Sequence, residues 1–154
     1  MEINNKQPWH VSEIELLYKP TIKPSLRPKI TASSDAFNIF KTSWNPSTLE
    51  LFEEFKVLLT NRANKVLGIL NVSKGGITGT VADPKLIFAS ALKAAACGMI
   101  LAHNHPSGNL SPSQADIDLT RKIKEGGKLL EIQLLDHIIL TSEGYYSFAD
   151  EGII

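Results

Sequence analysis

One cysteine, Cys97, leaves this chain no partner for an internal disulfide, and a lone thiol is the ordinary state in a reducing compartment. The N-terminus MEINNKQPWH lacks the basic-then-apolar layout of a secretory leader. No apolar run approaches the roughly 18 residues that a membrane-spanning helix requires. An excess of charge is missing too: Lys plus Arg and Asp plus Glu number 16 each, so no net field draws the molecule toward nucleic acid or anionic lipid. Together these absences predict a soluble, cytoplasmic protein with no membrane partner and no strong autonomous nucleic-acid binding. What is present, 43% apolar and 21% charged residues over 154 positions, matches one globular domain long enough to bury both faces of a sheet.

Residues 1–33 carry Pro8, Pro20, Pro24 and Pro28, which forbid a long helix and favour an extended arm. Within it Ile14, Leu16 and Tyr18 alternate with Glu13 and Glu15, the period of a half-buried strand. Such an arm can pair with a sheet edge of its own domain or of a second copy, which would give a homo-oligomer. The domain itself is expected over 34–154. Ser34 is expected to cap a helix through about Phe40, and Asn45-Pro46 to open another through about Phe52. Phe55–Leu59 and Val66–Leu70 flank a polar turn over Thr60–Lys65 and predict a hairpin. Gly75, Gly76 and Gly79 read as turns. Asp83-Pro84 starts a helix whose buried stripe is Ile87, Ala91, Leu92 and Ala95. Met99–Ala102 is an unbroken apolar run, the mark of a central strand. Ser111-Pro112-Ser113-Gln114 resembles a capping box opening a helix to about Glu125, with Gly126-Gly127 as its stop. Leu129–Leu135 and His137–Thr141 read as strand material, with Glu143-Gly144 turning into Tyr145–Phe148. The order mixes strands and helices around one sheet, an α/β fold.

The central strand leads into His103-Asn104-His105-Pro106, and Ser113 and Asp116 follow. Residues two apart in a strand face the same way, about 6.6 Å apart, so His103 and His105 can both turn toward one ion. Ser113 and Asp116, three apart at a helix start, share a helical face. If the intervening loop folds back, Asp116 becomes a third ligand, and two imidazoles with a carboxylate are the open donor set of hydrolytic zinc. A hydroxyl at Ser113 can donate to a developing oxyanion. Glu54, just before the strand Phe55–Leu59, is the expected general base, with Glu53 turned to the opposite face. The pattern H-x-H-x7-S-x-x-D arises by chance on the order of 10⁻⁶ per start position.

Glu54-Phe55, His103-x-His105-Pro106 and Ser113-x-x-Asp116 resemble the motif of the JAMM, or JAB/MPN, metalloproteases. From Glu53 to about Gly152 the chain further resembles the RadC branch of that superfamily. The resemblance is carried by Leu59–Gly68, Gly75–Thr80, His103–Gly108 and Leu135-Asp136-His137, and it covers roughly two thirds of the chain. It implies a single-domain cytidine-deaminase-like α/β sandwich, a mixed sheet flanked by helices. It also implies one zinc ion per chain held by His103, His105 and Asp116, Glu54 as base and Ser113 as oxyanion donor. The activity implied is metal-dependent hydrolysis of an amide, peptide or isopeptide bond. The alternative is a non-catalytic binding or DNA-processing accessory module. Longer RadC proteins begin with a helix-hairpin-helix DNA-binding region, which the proline-studded arm is unlike. Elsewhere blander expectations hold: Asp136-His137 as sheet support, Cys97 as a buried small hydrophobe, and Trp9, Trp44 and Tyr145-Tyr146 as packing residues rather than a base-stacking platform.

Overall fold

A computed structural model describes residues 11–15, 17–75 and 81–154. Five strands form one mixed sheet in the order β2-β1-β3-β4-β5: β1 Glu54–Thr60, β2 Val66–Lys74, β3 Gly98–Asn104, β4 Gln133–Leu140 and β5 Tyr145–Ser147. The expected hairpin is present, with β1 antiparallel to both β2 and β3, while β3 and β4 run parallel and are linked through a helix. Among the described residues three α-helices flank the sheet: α1 Ser33–Ser43, α2 Pro84–Lys93 and α3 Gln114–Leu130. This is the expected single-domain α/β sandwich.

Side-chain parity divides the core into two layers. Odd-numbered Val57, Leu59, Met99 and Leu101 pack with Ile87, Ala91 and Ile123 of α2 and α3. Even-numbered Leu58, Ile100 and Ala102 pack with Ala36 and Phe40 of α1 and with Trp44. Successive strand side chains point to opposite faces, so parity decides which layer a residue joins. β3 is buried along its whole length, as a central strand covered on both sides must be. Lys56 falls inside the α1 layer; its amine donates to the Ser43 carbonyl at 2.7 Å and lies 4.4 Å from the Trp44 ring. Burial pulls its pKa down.

Several local expectations give way to tertiary contacts. α1 begins at Ser33 because the Asp35 carboxylate reaches back to the N–H groups of Thr31 and Ala32, taking the capping role expected of Ser34. Residues 46–51 form turns, not a helix, with Asn45 Oδ1 accepting from the Ser47 N–H. Leu92 and Ala95 are exposed, so the buried stripe of α2 is Ile87 and Ala91. α3 runs through Gly126 and Gly127 to Leu130 and ends at Glu131, whose φ is 56°. The glycines serve packing: a Cβ on Gly126 would strike the Phe88 ring, and one on Gly127 the Ile132 carbonyl oxygen. The box that opens α3 is Ser113 with Asp116, not Ser111 with Gln114. Leu129 and Leu130 close this helix rather than starting β4. Cys97 is exposed, not buried.

The described part of residues 11–23 forms no strand. Tyr18 instead donates its phenol to the Leu67 carbonyl of the edge strand β2 at 2.7 Å. Leu16, Trp9, Gly76 and Gly79 lie outside the described residues. Further along, Ile30 N donates to Asn64 O and Val66 N to Pro28 O, which ties residues 28–30 to the hairpin turn. Among the described residues no helix is long and apolar enough to cross a membrane.

Candidate metal centre

β3 ends in the loop that leads to α3, and its odd-numbered face presents His103 to the α3 layer. Donor atoms of His103, His105 and Asp116 gather there within 4.8 Å of one another. His103 Nε2 is 3.0 Å from His105 Nε2 and 3.3 Å from Asp116 Oδ1, and His105 Nε2 is 3.6 Å from Asp116 Oδ2. Ligands about 2.0–2.1 Å from a tetrahedral ion sit about 3.3 Å apart, which is the spacing found.

The hydrogen bonds around the cluster constrain where the ring protons lie. His105 Nδ1 is 2.6 Å from the Asn109 carbonyl, a pure acceptor, so Nδ1 carries a proton and Nε2 is the nitrogen left to face Asp116 or a metal. His103 Nδ1 is 2.8 Å from His137 Nε2. With Thr120 donating its one hydroxyl proton to the Asp116 main-chain carbonyl at 2.7 Å, it accepts from His137 Nδ1, also at 2.7 Å. His137 Nδ1 is then protonated and its Nε2 bare. Burial holds the wholly enclosed His137 well below its ordinary pKa, which keeps that ring neutral and leaves the proton between the rings on His103 Nδ1. A metal would therefore find lone pairs at His103 Nε2, His105 Nε2 and the Asp116 carboxylate, displacing any proton the imidazoles share with Asp116 in the metal-free cluster. This donor set fits a divalent cation.

The metal-free cluster titrates in a defined direction. The hydrogen bond with Asp116 raises His105 above its ordinary 6.5, burial opposing. Burial would raise Asp116, but its bonds with His103 and His105 prevail and hold it far below 3.8. A depressed carboxylate stabilises the fold above pH 3.8 and loses that contribution as pH falls toward its folded pKa. A raised histidine stabilises fully below pH 6.5 and loses its share as pH rises through its folded pKa. Thermal melts in chelator should therefore show the gap between wild type and Asp116→Asn widest between about pH 3.8 and 6.5. A pH-independent gap would remove the linkage.

Glu54, the expected base, does not face the cluster. It lies on the even-numbered face with Lys56, 3.7 Å from Lys74 Nζ, its register partner on β2. Glu53 takes the odd-numbered face with Phe55, whose ring stacks on His103 at 5.7 Å. Burial raises the Glu53 carboxyl, the Asp116 charge adding to the rise and the two histidines opposing it. The correction has a clear physical cause. Hydrogen bonding to the chain after β2 already includes Glu53, whose carbonyl accepts from Gly75 N at 2.8 Å, and a one-residue change of position exchanges the faces.

Asn104 holds Glu53 in place. Fully buried, it accepts from Glu54 N at 2.7 Å and donates to Phe52 O and Leu49 O at 2.8 Å each. The peptide groups on both sides of Glu53 are thus bonded to one side chain of the ligand strand. Ser113 caps α3, its Oγ accepting from Asp116 N at 3.1 Å while Asp116 Oδ2 accepts from Ser113 N at 2.8 Å. Among the described residues no acceptor takes the Ser113 hydroxyl proton. Glu53, His105, Ser107, Asn109, Ser111 and Ser113 line an open cleft of about 410 Å³. Asp136 supports the sheet as expected, accepting from Ser147 Oγ at 2.6 Å and Ala149 N at 3.0 Å. Its neighbour His137 is part of the centre instead. Sequence reasoning did not single out the Asn104 clamp or Thr120, and it placed Glu53 and His137 away from the cluster.

Comparison with known proteins agrees with this geometry. A family model described as RadC-like JAB domain matches residues 30–153. A UPF0758 protein of Flavobacterium johnsoniae is 52% identical over 126 residues, which is 81% of this chain and 53% of that protein. A UPF0758 protein of Staphylococcus haemolyticus is 41% identical over 124 residues, 80% of this chain and 53% of its own. One from Porphyromonas gingivalis is 46% identical over 103 residues, 66% and 45% respectively. The chain spans about half the length of these curated relatives. With the sheet, the histidine-bearing strand and the helix-borne aspartate in place, the chain belongs to the RadC-like JAB domain family.

Proposed function

We propose that this domain is a zinc-dependent hydrolase that cleaves an amide, peptide or isopeptide bond, with His103, His105 and Asp116 as metal ligands and Glu53 as general base. The observation that carries the reading is the convergence of three donor atoms, at separations of 3.0 to 3.6 Å, beside a carboxyl whose pKa is raised by burial. Two imidazoles and a carboxylate suit zinc, and the JAMM motif residues His103, His105, Ser113 and Asp116 support the same assignment. When bound, zinc supplies Lewis acidity toward a carbonyl and lowers the pKa of water toward neutrality.

The residues of the chain do the rest. Glu53, held at the cleft by Asn104, accepts a proton from the attacking water and returns it to the nitrogen of the leaving amine. One water is consumed, and a carboxylic acid and an amine result. A general base works best when its pKa lies near the working pH, and burial moves Glu53 in that direction. The Ser113 hydroxyl donates toward the carbonyl oxygen as charge develops there. The polar hydroxyls and amide of Ser107, Asn109 and Ser111 at the cleft suit an extended polypeptide segment, so a peptide or an isopeptide-linked tail is the proposed partner.

The test is to incubate zinc-loaded and chelator-stripped protein with a panel of peptide and isopeptide amides in isotopically labelled water. Cleavage that requires zinc and places one solvent oxygen in the new carboxyl group is expected. Cleavage indifferent to stripping and reloading would overturn the proposal.

A further inference from the structure

We infer that His137 and Thr120 are positioning residues that fix His103 in the tautomer required of a metal ligand and tie that ligand to the helix bearing Asp116. The inference rests on the metal reading of His103, His105 and Asp116 and deepens it.

The bonds run in one direction. His103 Nδ1 donates to His137 Nε2 at 2.8 Å, His137 Nδ1 donates to Thr120 Oγ1 at 2.7 Å, and Thr120 donates to the Asp116 main-chain oxygen at 2.7 Å. The terminus of this relay is a carbonyl, which has no proton to give, so the reversed order would leave the Thr120 and Asp116 oxygens facing each other with no proton between them. In this order the relay leaves His103 Nε2 available to a metal. The relay also crosses three elements. It begins on β3, passes through β4, and ends at the first turn of α3, joining the backbone of one ligand to the ring of another.

No water can take over. His137 is fully buried and stacked on Phe148 at 4.6 Å with a 14° tilt, and the Phe55 ring approaches it at 5.6 Å. Its ring is bonded at both nitrogens and boxed by aromatics, so its orientation is fixed and so is that of His103. A ligand histidine commonly donates its second nitrogen to a carboxylate or carbonyl, and such partners are worth about 10- to 100-fold in metal affinity. Here a second histidine stands in that place, and it can accept only because Thr120 holds its other nitrogen protonated.

The test uses Thr120→Val, which keeps shape and removes the hydroxyl, and Thr120→Ser, which restores it. Nitrogen NMR on metal-free protein above neutral pH reads ring tautomers directly, and competition with a chromophoric chelator reads zinc affinity. In wild type, His103 and His137 should both be protonated at Nδ1. Thr120→Val should disturb that pattern and weaken zinc binding about 10- to 100-fold, while Thr120→Ser should recover both. A purely structural threonine would lower the melting temperature of the metal-free Val variant and leave tautomers and affinity alone; that result overturns the inference. So does an Nε2-protonated His103 in wild type, whatever the metal does. Wild type with the stated tautomers but no zinc uptake would instead sink the metal reading and leave the relay assignment standing.

Discussion

Glu53→Gln protein should take up zinc as wild type does and hydrolyse its substrate about 100- to 10,000-fold more slowly, the range spanned by loss of a positioned base. Glutamine keeps the shape and the hydrogen-bond capacity of the side chain and removes its ability to hold a proton. Glu53 is not among the gathered donor atoms, so the ligand set is untouched and metal content measured by elemental mass spectrometry should stay at about one ion per chain. Glu54→Gln is the control. Its carboxylate meets Lys74, which is largely exposed, at 3.7 Å, and such a pair contributes about 0 to 1 kcal/mol. It should hydrolyse substrate at nearly the wild-type rate. Were Glu54→Gln inactive and Glu53→Gln active, the parity assignment of the two glutamates would be wrong.

Asp116→Ala carries the second large effect, because one carboxylate does two jobs. It stands 3.3 Å from His103 Nε2 and 3.6 Å from His105 Nε2, and it accepts from Ser113 N at 2.8 Å as the return half of a capping box. Removing it leaves two neutral imidazoles, too few for a stable tetrahedral site, so metal should fall from about one ion per chain to almost none after dialysis. It also orphans a backbone donor at the start of α3. That should cost the metal-free protein about 0.5–2 kcal/mol, read from urea melts in chelator. Asp118→Ala, which removes an exposed carboxylate 3.5 Å from Arg121, should change neither quantity. Full zinc retention in Asp116→Ala would exclude the assigned site.

The gathering of His103, His105 and Asp116 was legible because all three lie within fourteen consecutive positions. Strand alternation brings the two histidines together, and a single loop and helical turn add the aspartate. The hairpin, α2 and β3 were legible for similar reasons, through turn residues, an Asp-Pro start and an apolar run. The choice between Glu53 and Glu54 was not. β1 is buried along both faces after its first residue, so no polar alternation marks which side a residue takes. Only its pairing with β3, which sets Phe55 against His103, supplies the parity. His137 was seen but misplaced, since its partners come from parallel pairing and a helix across the sheet. Gly126 and Gly127 misled for another reason. A helix stop and a close packing contact use the same residue, and only Phe88 and Ile132 distinguish them.

Asn104 joins opening events that position alone would separate. Glu54 stands at the margin of the sheet, after a run of turns over 46–51 with no ladder of its own, the kind of segment whose amides ordinarily exchange with solvent by local fraying. Yet the amide of Glu54 and the carbonyls of Leu49 and Phe52 all end on one fully buried side chain of the central strand. Fraying there must break three bonds to a group that cannot reach water, so the Glu54 amide should exchange with the slow unit of β3 rather than with the turns beside it. The stretch that carries the proposed general base is a loop in appearance and should be a piece of the core in its kinetics.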